Sequence, residues 1–179
     1  MILTVQIDSM VLGEAVGNID TSFDLFVLPL FGDKKPFPFK NTSAMEGLGQ
    51  FSPDGRWVTY FSNKTGRSEI YVAPFPPRPD EEYPISTGGG CYPRWPQDDG
   101  AEIFYLARDN KLMVAAVKGK ESSFAVDSVK PLFQTQAAGL GFRYDVSADG
   151  QYFLINSKPK QSVSSSITVE VNWTAGLEK

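Results

Sequence analysis

Three aspartates, Asp54, Asp99 and Asp149, each precede a glycine. Carboxylates repeated in this way could converge on a cation, but an Asp-Gly step is also what a tight turn requires. Asp hydrogen-bonds its own backbone and Gly accepts a positive φ, so the turn reading is preferred and no metal or other cofactor is expected. Ser52, Ser147 and the serine-rich stretch 162–166 offer hydroxyls with no basic partner to activate them. The chain contains no histidine, which removes Ser-His-Asp and Cys-His nucleophile activation, histidine general bases and most transition-metal sites. The single Cys91 cannot form an internal disulfide and reads as a small buried apolar residue. An enzyme is therefore not expected.

Binding chemistry is better represented. Gly88, Gly89 and Gly90 form a glycine triplet that could cradle a phosphate, but no Lys-Ser/Thr pair and no helix signal follow it. A permissive crossing between two structural units accounts for it more simply. Just downstream stand Tyr92 and Arg94, and near the end of the array Arg143 and Asp145. Arginine and tyrosine are frequent binding hot spots. These seven residues, Gly88, Gly89, Gly90, Tyr92, Arg94, Arg143 and Asp145, are the candidate contacts for a ligand or partner.

With 179 residues and a net charge of −4, the chain is long enough for one domain with a sizeable core. No basic run could neutralise a phosphate backbone, so nucleic acid is not an expected partner. No apolar run approaches the roughly 20 residues needed to span a bilayer, so direct membrane insertion is not expected. A basic leader followed by an apolar stretch is absent from the first residues.

The elements that must position the candidates are clearest over residues 50–76, QFSPDGRWVTYFSNKTGRSEIYVAPFP. Turn residues at Ser52, Pro53, Asp54 and Gly55 precede the β-branched and aromatic run 57–61, and a second polar turn at 63–66 precedes the strand 69–73. This is a β-meander, and it recurs. Asp8, Asp54, Asp99 and Asp149 stand 46, 45 and 50 residues apart. That period, with four strands per repeat and almost no helical signal, predicts an all-β fold: a β-propeller array of about four four-stranded antiparallel blades.

The blades are expected at 1–40, 47–87, 91–134 and 142–173, together one propeller domain. Turns are expected at Asp8 with Ser9 and at 17–22, and fourth strands at 36–39, 83–87 and 129–134. Residues 118–128 read as a looser segment, 46–49 and 138–141 as loops comparable to the glycine triplet, and 142–146, 151–156 and 167–173 as the strands of the last blade. Trp57, Trp95 and Trp173 read as packing residues between blades. Four blades is the low end of the usual range, so the array is expected to be partial, a small closed ring, or completed as a homodimer. An unclosed array would expose an apolar blade face, which favours association.

FSPDGRWVTYFS followed by SEIYVAPF resembles the TolB-like, WD-repeat-like blade motif. The order DLFVLPLFGDKKPFPF, QFSPDGRW, ISTGGGCYPRW, EIFYLARDNKLMVAAV, KPLFQT and ITVEVNWTAGLEK is similar to the C-terminal propeller of some bacterial serine/threonine protein kinases. The resemblance implies an extracytoplasmic sensor or interaction module that binds a protein, peptide or small ligand through loops at the channel mouth. Without that resemblance the chain would be placed in the cytoplasm. No kinase signature is present, so no kinase residue carries over. Two alternatives stand beside this: a propeller gating a peptidase-like or lyase-like catalytic part, and an architectural piece that functions only as an oligomer.

Overall fold

The computed structural model describes residues 2–7, 10–15, 23–120, 123–139 and 141–158. The turns expected at Asp8 with Ser9 and at 17–22, the serine-rich loop, and the strand expected at 167–173 with Trp173 lie outside the described residues.

Fourteen strands and no helix are found among them. β1 (Ile2–Ile7), β2 (Met10–Ala15), β3 (Asp24–Pro29) and β4 (Phe37–Lys40) form one antiparallel sheet in sequence order. β5 (Glu46–Phe51), β6 (Trp57–Ser62), β7 (Glu69–Pro74) and β8 (Tyr83–Pro84) form a second. β9 (Gly90–Arg94), β10 (Glu102–Ala107), β11 (Lys111–Lys120) and β12 (Ser123–Gln134) form a third. β13 (Tyr144–Val146) and β14 (Phe153–Ile155) pair as a fourth, two-stranded sheet, which an isolated bridge between Ala137 and Ser157 extends.

Each sheet packs on the next, as blades do in a partial β-propeller. The period of two along a strand explains how. On β6, Val58 and Tyr60 join Leu12, Leu25, Val27 and Phe39 of the first blade. The alternate residues Trp57 and Phe61 join Trp95, Ile103, Tyr105 and Phe124 of the third. On β10, Ile103 and Tyr105 face back to the second blade, while Phe104 and Leu106 pack with Tyr144 of the fourth. A central strand covered on both faces reads as a continuous apolar run, and β6 is buried at all six residues. Full burial of such side chains contributes about 1.5–3 kcal/mol each, so the cores between blades hold the array together.

Two of the Asp-Gly turns are built alike. Ser52 Oγ donates to Asp54 Oδ1 at 2.6 Å and accepts from the Trp57 amide at 3.0 Å, and Asp54 Oδ1 also takes the Arg56 amide. Ser147 Oγ donates to Asp149 Oδ1 at 2.5 Å and accepts from the Tyr152 amide at 2.9 Å. Asp99 caps the amide of Ala101. These carboxylates are engaged in their own turns.

Some elements differ from expectation. Residues 118–128 are not loose: β11 runs to Lys120 and β12 starts at Ser123, because the extended hairpin carries Phe124 between Trp57, Tyr83 and Trp95, with ring centroids at 5.0, 5.5 and 6.2 Å. Lys118 and Asp127 also pair across it at 2.5 Å. Residues 46–49 belong to β5 rather than to a loop, with a bulge between Gly47 and Gln50. β8 is cut to two residues, because Pro84 has no N–H and Ser86 Oγ accepts the Ile70 amide at 2.9 Å instead.

Candidate functional site

In a meander blade the turn between the second and third strands opens at the same end as the crossing to the next blade. The β6–β7 turn, the β8–β9 crossing and the β10–β11 turn therefore meet. They line a cleft of about 450 Å³ with Gly66, Arg67, Ser68, Gly89, Gly90, Cys91, Tyr92, Arg108, Asn110 and Arg143 among its walls.

The glycine triplet is one wall, and Glu69 holds it. This carboxylate, at the start of β7 and 3% exposed, accepts the Gly89 amide on both oxygens at 3.0 and 2.9 Å. It also accepts from Ser86 Oγ and from Arg67 Nε, the latter at 2.7 Å. Arg67 Nη2 reaches the Thr87 carbonyl at 2.7 Å, and the Gly90 amide donates to the Ser68 carbonyl at 2.9 Å. Gly89 has φ +98, and a Cβ on Gly90 would stand 2.8 Å from Ile70 Cγ1. The backbone follows this path only without side chains. The amides of Gly89 and Gly90 are thus occupied within the fold, and the triplet forms a wall rather than an open cradle of donors.

Tyr92 supplies the aromatic face. It sits at φ +58 where the β9–β10 register shifts. Leu48 occupies the matching place in the second blade, with φ +53 at the bulge of β5, so the bulge is a device of the blade and the change from leucine to tyrosine is particular to this cleft. Bulges re-aim side chains. The Arg143 guanidinium lies over the Tyr92 ring, 5.0 Å from its centroid. Arg143 Nε is buried and has no hydrogen-bond partner among the described residues. Beside them, burial pushes the Cys91 thiol up from its ordinary pKa; the Tyr92 backbone hydrogen bond and the Arg143 charge oppose that rise, and Glu14 adds to it.

Arg94 and Asp145 come together elsewhere. Arg94, 6% exposed, places Nε 3.4 Å from Asp145 Oδ1, donates from Nη1 to the Pro93 carbonyl at 2.9 Å and stacks on the Phe142 ring at 4.3 Å. Burial lowers its pKa, against the opposing pull of Tyr144 and Asp145. Gln50 holds the same blade place and clasps Trp95 through both backbone groups, at 3.0 and 2.7 Å. Both side chains tie one blade to the next. Gly88 lines an adjoining cleft with Arg108, Asp109 and Lys111.

Four of the seven candidates, Gly89, Gly90, Tyr92 and Arg143, therefore share one cleft. Sequence reading missed Arg67, Arg108 and Asn110, which stand in ordinary turns. The signal that finds them is topological, since both turns and the triplet belong to one end of adjacent blades.

No family model and no curated protein matches the chain. Among solved structures, a protein assigned as TolB from Agrobacterium tumefaciens superposes with a TM-score of 0.58 at 14% identity, covering 85% of this chain and 56% of that one. TolB from Acinetobacter baumannii gives 0.52 at 15% identity, covering 86% and 48%. The chain spans about half the length of these proteins. At such identity the likeness is one of fold, and the fold of this chain is a TolB-like β-propeller, present as a partial array of blades.

Proposed function

We propose that this is a non-enzymatic propeller module that binds a protein, peptide or small ligand in the cleft between its second and third blades. The observation that supports the reading is Arg143, stacked on Tyr92 with its buried Nε unpartnered, at the edge of a cleft whose glycine wall is braced from behind by Glu69. Buried polar groups of folded proteins nearly all have partners, and a ligand acceptor would supply one here. A concave site with an aromatic wall and a few fixed polar groups is the usual form of a binding pocket. The hydroxyls of Ser52 and Ser147 donate to their own turn aspartates, which favours binding over hydrolysis. By its resemblance to kinase-linked propellers we place the module outside the cytoplasm, as a sensor.

The test is an amide-resolved NMR screen of the whole chain against a mixed set of dipeptides and small metabolites. Shifts grouped at Gly89, Gly90, Tyr92, Ala107 and Arg143 are expected; shifts confined to another surface would reject the cleft.

A further inference from the structure

We propose that this cleft takes an oxyanion, the carboxylate or phosphate group of its ligand, held by Arg67, Arg108 and Arg143. The inference rests on reading the cleft as the ligand site and adds the chemistry of what enters it. Three arginines and no aspartate or glutamate line it, although the chain as a whole carries a net charge of −4.

The nearby carboxylates are turned to other donors. Glu69 is buried against Gly89, Ser86 and Arg67, and Glu14, 9% exposed, accepts the Leu48 amide. Asp109 is taken by the side chain of Lys111 at 2.7 Å and by its amide at 3.1 Å. The arginine donors, by contrast, are left over. Arg108 is exposed on its turn and makes no ion pair among the described residues. Arg143 retains its unpartnered Nε. Arg67 uses Nε and Nη2 within the fold, keeps Nη1, and is 60% exposed along its side chain.

A second cationic cleft provides the contrast. Lys40 and Lys64 line a space of about 580 Å³, but Glu82 lies in the same wall and pairs with both, while Tyr60 donates to it at 2.8 Å. Its charges are matched from within. In the arginine cleft Glu69 matches Arg67 from behind the glycine wall, but Arg108 and Arg143 have no such counter-charge among the described residues, and a cleft lined by one sign of charge draws the opposite ion. The planar guanidinium fork suits carboxylate and phosphate, and the contact with the Tyr92 ring holds Arg143 in place in advance.

The experiment titrates citrate, inorganic phosphate and a neutral Gly-Ser tetrapeptide capped at both ends onto the isotopically labelled whole chain at low chloride. At least one anion should saturate and move the amides of Gly89, Gly90, Tyr92 and Ala107. R108Q and R143Q should each weaken that binding by on the order of 10-fold, and the neutral peptide should leave those amides still. Preference for citrate assigns a carboxylate ligand and preference for phosphate a phosphoryl one. If the neutral peptide moves the cleft amides and neither anion does, the oxyanion inference falls and the cleft reading stands. If none of the three moves them, both fall. Anion binding unaltered by R108Q also overturns the inference, and because Arg108 lies exposed on a turn, that variant keeps the test decisive should R143Q not fold.

Discussion

Glu46 is 2% exposed, accepts Thr42 Oγ1 at 2.5 Å with one oxygen and leaves the other without a partner among the described residues. Burial raises its pKa above the ordinary 4.5, and the Asp24 charge adds to the rise, while Thr42 and Lys40 oppose it. The folded protein therefore keeps this proton where the unfolded chain releases it. The stability it confers is fully present below the unfolded pKa and is lost as pH rises through the folded one. Glu46→Gln retains the acceptor for Thr42 and removes the titration. Denaturant midpoints compared between pH 4 and 7.5 should show the variant gaining on wild type as pH rises; a constant difference would contradict the assignment. The two Ser-Asp turns give a matched pair. Ser52 is 2% exposed whereas Ser147 is half-buried. Ser52→Ala leaves the buried Trp57 amide unsatisfied and should cost about 1–3 kcal/mol. Ser147→Ala leaves the Tyr152 amide to water, because Tyr152 is 74% exposed, and should cost clearly less by the same unfolding measurement.

The same contrast between local chemistry and distant packing decides which elements can be read from sequence. The turn at Ser52, Pro53, Asp54 and Gly55 and the apolar run of β6 are legible because every residue agrees with the element it forms. The tip of the β11–β12 hairpin is not, because Lys118, Gly119, Lys120 and Ser123 carry no strand signal and the hairpin is held by a remote contact, Phe124 against Trp57 and Trp95. Phe124→Ala should therefore destabilise the protein by about 3–5 kcal/mol, measured by denaturant unfolding. A loss below about 0.5 kcal/mol, the usual scale for surface changes, would show that the hairpin tip is not part of the core. Within the candidate site, the triplet and Tyr92 were legible from glycine run and residue type. Arg67 and Arg108 were not, because only the packing of adjacent blades brings two separate turns to one recess.

For the whole molecule, the described blades pack one on the next in chain order, and the fourth carries exposed apolar side chains. Tyr152 and Leu154 on that blade are 74% and 79% exposed, the kind of apolar surface that favours association. A solution mass of twice 19.7 kDa is expected at high concentration, and Leu154→Asp should return it toward the monomer value; a monomer at all concentrations would contradict pairing through this face. The alternating cores also unite the blades that form the cleft, so its ligand chemistry depends on the array rather than on any one strand. Cys91, in the wall beside Tyr92, reports on that cleft directly. The decisive measurement is its alkylation rate by iodoacetamide without anion, with citrate and with inorganic phosphate. Burial already holds the thiol above its ordinary pKa, so the basal rate should fall below that of a free thiol. The anion that binds should slow it further at saturation, and R108Q should move that protection to an anion concentration about 10-fold higher. A rate unchanged by both citrate and phosphate would contradict the account of an arginine-lined ligand cleft.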